Sequence, residues 1–193
     1  MKKVLILMVM LMGFFLVSSQ AALAAEEASA TSHVFAQVNP NVSLSGMAHV
    51  DAGTVQTGDF TAECVFRVDA NTQQIKIWAE ASDLWKGNDP NYEGNDAVAP
   101  IPLNRAVPVD VYVTHGSPLG TAASALAYNG GENGNGDING FPTYVTQQLG
   151  LESSQNNHFS QDVILTFTWN QDDPQKPRGE YSGFVKMSAM VMP

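Results

Sequence analysis

Disulfides, clustered basic side chains and catalytic motifs are all missing from this chain. Cys64 is its single cysteine, so no intrachain disulfide can form and stability must come from a buried core. Nine Lys and Arg stand against nineteen Asp and Glu, a net charge of −10, and the seven basic residues beyond position 24 are spread singly. Binding a phosphate backbone needs clustered cations, so nucleic acid and anionic membrane surfaces are poor partners. His33, His49, His115 and His158 lie far apart, with no H-E-x-x-H and no G-x-S-x-G nearby. No catalytic residue is therefore assigned, and the expectation is a protein that is not an enzyme. The strands differ in length and spacing, which disfavours a propeller or solenoid.

What is present begins with Lys2 and Lys3, the 14-residue apolar run 4–17, and small residues ending in Ala22-Leu23-Ala24. The run falls short of the roughly 20 residues that span a bilayer. Its order of basic, apolar and small residues is that of a secretory signal peptide, with cleavage expected after Ala24. The expected organisation is a signal peptide over 1–24, an N-terminal arm over 25–41, and one domain over 42–193. Export to a periplasm, the cell surface or the medium follows, without membrane insertion after cleavage. Within the arm, His33-Val34-Phe35-Ala36-Gln37-Val38 is capable of forming a strand and is stopped by Asn39-Pro40-Asn41.

The rest of the chain reads as strands. Val163, Leu165, Phe167 and Trp169 fall at every second position, and so do Tyr181, Gly183, Val185, Met187, Ala189 and Val191. The intervening NQDDPQKPRG holds turn residues, so the two runs predict neighbouring antiparallel strands. A second hairpin is expected where Val68 and Ile75 flank Asp69–Gln74, with Ile75, Ile77, Ala79 and Ala81 on its buried face. Cys64 shares the parity of Phe60, Ala62, Phe66 and Val68, which predicts a small buried hydrophobe rather than a reactive thiol. The predicted class is all-β: an antiparallel β-sandwich, immunoglobulin-like or Greek-key, of seven to eight strands. One short helix is expected from Ser117-Pro118 through Leu126, stopped by Gly130-Gly131.

Two polar loops are candidate ligand sites. Asn135, Asp137 and Asn139, followed by Gly140, have the alternating oxygen-ligand spacing of a calcium loop, though its first position lacks an aspartate and its twelfth, Thr146, is not a glutamate. A flexible Gly/Asn turn is the competing explanation. In the other loop, Trp85 and Tyr92 stand near Asp89 and Asp96, the composition of a carbohydrate-binding surface where a ring stacks on a sugar and carboxylates bond its hydroxyls. The competing explanation is a tryptophan plugging one end of the sandwich while the acids face water.

A third candidate is the last strand itself. Phe184, Met190 and Met192 lie on the face opposite Met187, where a lone sandwich should be polar. Apolar residues on both faces imply cover, from the run 33–38 or from another molecule, and an open strand edge is a template for strand addition. The ending G-E-Y-S-G-F-V-K-M-S-A-M-V-M-P, residues 179–193, resembles the terminal strand of bacterial secreted β-sandwich families, including fimbrial subunits and spore-coat-U-like proteins. That resemblance implies surface or fibre assembly rather than catalysis. The leading expectation is a secreted structural or adhesive subunit that self-associates, or joins another secreted β-subunit, by strand addition. The strand-exchange surface would be His33, Val34, Phe35, Ala36 and Val38 against Phe184, Met190 and Met192. The alternative is a secreted carbohydrate- or calcium-binding module, ahead of a periplasmic hydrolase.

Overall fold

The computed structural model describes residues 32–92, 98–120, 124–130 and 133–192, with the side chains of 133–137 left aside. Its spine is a pair of 13-residue strands, β2 (Gly58–Ala70) and β11 (Phe159–Gln171), antiparallel from Phe159 opposite Ala70 to Gln171 opposite Gly58. Alternate side chains of both point inward: Ala62, Cys64, Phe66 and Val68 from one, Val163, Leu165, Phe167 and Trp169 from the other. The two-residue period thus translates directly into one buried face.

This pair is the centre of a sheet ordered β1 (Val42–Gly46), β2, β11, β5 (Val109–Val113) and β7 (Ala125–Leu126). A second sheet is built on β3 (Gln74–Ser82), whose Ile75, Ile77, Ala79 and Ala81 are fully buried. On one side of β3 lie β9 (Phe141–Val145) and β10 (Leu149–Ser153), followed by β8 (Asn133–Ile138) and β6 (Gly116–Pro118). On its other side lies β13 (Val185–Val191). A small ribbon pairs β4 (Trp85–Lys86) with β12 (Tyr181–Ser182). All pairings are antiparallel, and the two inner faces share one hydrophobic core, as expected for a β-sandwich.

Three expectations about connectivity are corrected. The runs around Trp169 and Met187 are not neighbours, because β11 lies in the first sheet and β13 in the second. Likewise β2 and β3 do not form a hairpin: residues 71–73 carry the chain across from one sheet to the other. Alternation reports that one face is buried, and both sheets bury a face in the same core, so the pattern cannot say which sheet a strand joins. There is also no helix among the described residues, and the expected one over 117–126 is replaced by β6 and β7. Ser117 and Pro118 lie opposite Glu152 and Leu151, and β6 is an edge strand, where proline's missing N–H is tolerated.

Among the described residues, 39–192 form one compact unit and 32–38 belong to a separate one. The expected signal peptide lies outside the described residues. In the unit 1–38, residues 32–38 carry no regular secondary structure and are exposed, so the run His33–Val38 is not a strand in the single chain. In the domain, Asn71 fastens the entry: its Nδ2 donates to Asn39 O at 2.9 Å, and its Oδ1 accepts the Asn41 N–H at 2.6 Å.

Candidate interaction surface on the terminal strand

The position of β13 is set before the strand begins. Gly183 passes so close to the end of β3 that a Cβ there would stand 2.4 Å from both Asp83 O and Ser82 Oγ. Ser82 is fully buried and bonds in several directions. Its Oγ accepts the Phe184 N–H at 2.9 Å and donates to Asp83 O at 2.8 Å, its N–H donates to Phe184 O at 3.0 Å, and its carbonyl accepts Trp169 Nε1–H at 3.0 Å. From this node β13 runs in register with β3, from Val185 opposite Ala81 to Val191 opposite Ile75.

Val185, Met187, Ala189 and Val191 turn toward the core, and Lys186, Ser188 and Met190 lie on the outer face beside Glu80, Trp78 and Lys76. Lys186 Nζ is 2.9 Å from Glu80 Oε1, so the one cation of the strand is tied within its own sheet. The apolar stripe is partly self-covered. Phe184 packs edge-on against Phe141 with centroids 4.9 Å apart, and Met192 is half-buried, its N–H bonded to Gln74 O at 3.2 Å. Met190, at 45 % exposure, is the member of the stripe open to solvent. Of the three residues expected there, the fold leaves one open to solvent.

Among the described residues β13 pairs with β3 alone, so the backbone groups along its other edge have no strand partner. The first sheet has a comparable opening, because β1 covers β2 only from Phe66 to Ala70. From Gly46 the chain must return to Gly58, roughly 26 Å along β2 at about 3.3 Å per residue. Residues 47–57 make that return without forming a ladder, while Ala52 packs on the core and Met47 and Val50 stay exposed. This edge carries Asp59 and Glu63 on its outer face, the kind of charge that discourages pairing with another chain. The outer face of β13 carries no unneutralised charge.

In the arm, Val34 is 88 %, Phe35 84 % and Val38 80 % exposed, a concentration of apolar surface in six residues. His33 and Phe35 stack with ring centroids 5.9 Å apart.

The other candidate sites fare differently. Trp85 is half-buried in β4, its indole N–H enclosed with no acceptor among the described residues. Tyr92 is exposed, with Lys86 Nζ 5.8 Å from its ring centre, and Asp89 Oδ1 accepts the Asn91 N–H at 2.8 Å within its own turn. Asp96 lies outside the described residues. Asn135 and Asp137 fall in strand β8, and Asn139 begins a two-residue turn between Ile138 and Phe141. Asn139 and Gly140 take φ values of 52° and 84°, as an Asn-Gly hairpin requires. Two of the three alternating residues thus lie on a strand and the third in a turn. Among the described residues no group of three or more His, Cys, Asp or Glu is placed to hold a metal ion.

Cys64 sits in the core as its parity predicted, and burial pushes its thiol up to about 11. No protein-family model matches the chain, and no curated protein is significantly similar to it.

Proposed function

We propose that this chain is an exported, non-catalytic structural subunit that joins other copies of itself by strand addition. The run 33–38 is the donor, and the free edge of β13 is the acceptor. The observation that carries the reading is β13 itself: seven residues long, paired on one side, with its single lysine neutralised and Met190 open. Strand addition satisfies a row of backbone donors and acceptors at once, and alternate side-chain contacts set its register.

Face parity supports this pairing. A strand extending the second sheet would turn Val34, Ala36 and Val38, all aliphatic, toward the interior, and His33, Phe35 and Gln37 outward. Phe35 then lies on the face of Met190, where a sulfur–aromatic contact contributes about 0.3–1.5 kcal/mol. The arm's exposed apolar surface and the edge's unpaired backbone satisfy one another.

Light scattering on residues 25–193 as a function of concentration tests this. Oligomers are expected for the full arm. Removing residues 25–38, which spares the bonds from Asn71 to Asn39 and Asn41, should give a monomer with an unchanged melting midpoint. Met190→Lys should do the same by charging the acceptor face. Assembly of the shortened chain would eliminate the arm as donor, and assembly of Met190→Lys would eliminate β13 as acceptor.

A further inference from the structure

On the first sheet, the loop after Pro102 closes over the end of β11 and leaves a surface cleft of about 590 Å³. That lies within the roughly 300–1,000 Å³ usual for small-molecule sites. Its polar walls are Asn104, Arg105, Asn170 and Asp172.

Asn104, Arg105 and Asn170 are held in place by the fold. Asn104 N–H bonds Thr168 O at 2.9 Å and Asn170 N–H bonds Pro102 O at 3.0 Å, locking the loop to β11. Behind the cleft, Asp59 Oδ1 accepts both side-chain amides, from Asn104 at 3.1 Å and from Asn170 at 2.6 Å. Asn104 Oδ1 in turn accepts the Ala106 N–H at 3.3 Å. Arg105 is clamped by Gly130 O at 3.2 Å and by the Tyr144 ring, whose centre lies 4.4 Å from its guanidinium carbon. The groups left for a visitor are the remaining Arg105 N–H donors, the Asn170 carbonyl and the exposed Asp172 carboxylate.

We infer that this cleft binds a neutral carbohydrate. A sugar hydroxyl both donates and accepts, so it matches a wall that offers a fixed guanidinium donor beside carbonyl and carboxylate acceptors. A metal ion is disfavoured by the guanidinium and because Asp59 Oδ1 is already doubly bonded. An anion is disfavoured by Asp172 and by the chain's charge of −10. Of these walls Asn170 stands on β11, and Asn104 and Arg105 on the loop bonded to it, so recognition would use groups the fold positions. This site is independent of strand addition, since β13 contributes no residue to it.

The test is an NMR titration of residues 25–193 with cellohexaose, xylohexaose, mannohexaose and chitohexaose at millimolar concentration. Saturable shifts of the Asn170 side-chain amide and Arg105 Nε–H are expected with at least one of the four. Asp172→Ala, an exposed change that leaves the fold intact, and Arg105→Lys should each weaken binding about tenfold, as loss of a charge-assisted hydrogen bond predicts. No saturable shift with any probe overturns the inference, as do shifts that persist unweakened in both variants.

Discussion

Gly183→Ala tests how closely the terminal strand is seated. The new Cβ would stand 2.4 Å from Asp83 O and Ser82 Oγ, and 3.2 Å from Leu84 Cδ2. The first is backbone and the second is held by two hydrogen bonds, of 2.9 Å to the Phe184 N–H and 2.8 Å to Asp83 O. Relieving such an overlap by shifting packed groups costs roughly 1–3 kcal/mol. Displacing the Ser82 hydroxyl weakens two bonds that each contribute about 1 kcal/mol. The expected loss is about 2–4 kcal/mol, which for a domain of this size lowers Tm by on the order of 10 °C. Circular dichroism melts of the variant measure it, with Ser182→Ala as a neighbour whose exposed hydroxyl bonds only Asn88 Oδ1 and should cost far less. Repeating Gly183→Ala in a Ser82→Ala background separates the two obstacles, since removing Oγ should recover part of the loss. A Gly183→Ala midpoint equal to wild type would refute the close approach, and with it the account of how β13 is positioned.

Three further outcomes are expected. Burial raises the Cys64 thiol from an ordinary 9.0 to about 11, so the folded state holds its proton longer than the unfolded state. The contribution of this group is complete below pH 9.0 and is lost as pH rises toward about 11, which denaturant melts across that window should register; native protein at pH 8 should resist thiol reagents that label it at once in urea. Asp69 is held below the usual carboxylate range, first by the Ser160 hydroxyl at 2.5 Å and then by Arg67, so Ser160→Ala should move its NMR titration upward. Millimolar calcium should leave the melting midpoint where chelator leaves it, because Asn139 is a turn residue; a rise with calcium would restore the ligand reading.

The class of the fold was legible because alternation is a strong signal when one face is buried. Ile75, Ile77, Ala79 and Ala81 all proved fully buried, and so did Val163, Leu165 and Phe167. Sheet membership was not legible, since Asp69–Gln74 and the segment after Gln171 have the composition of hairpin turns, whereas residues 71–73 and the stretch after Gln171 lead from one sheet to the other. The Asn139-Gly140 turn was written in the sequence as the strongest short hairpin signal, but the wider run of alternating polar residues hid it. Of the apolar stripe, parity placed Met187 and Met190 on the correct faces but could not foresee that Phe184 would find Phe141. The cleft at Asn104 had no sequence signal, because Asp59, Asn104 and Asn170 meet only through the pairing of β2 with β11 and the return of the loop.

The repeated crossings between sheets also govern how the chain reaches its native state. Gly58 meets Gln171 and Ile75 meets Val191, in each case more than 100 residues away, so neither sheet can be completed from one continuous stretch. Topologies dominated by such distant pairings fold slowly, over milliseconds to seconds. Throughout that interval β3 waits for β13 with its backbone unsatisfied, and any other chain carrying a suitable strand competes for the same place. Refolding yield should therefore fall as the concentration of folding chains rises.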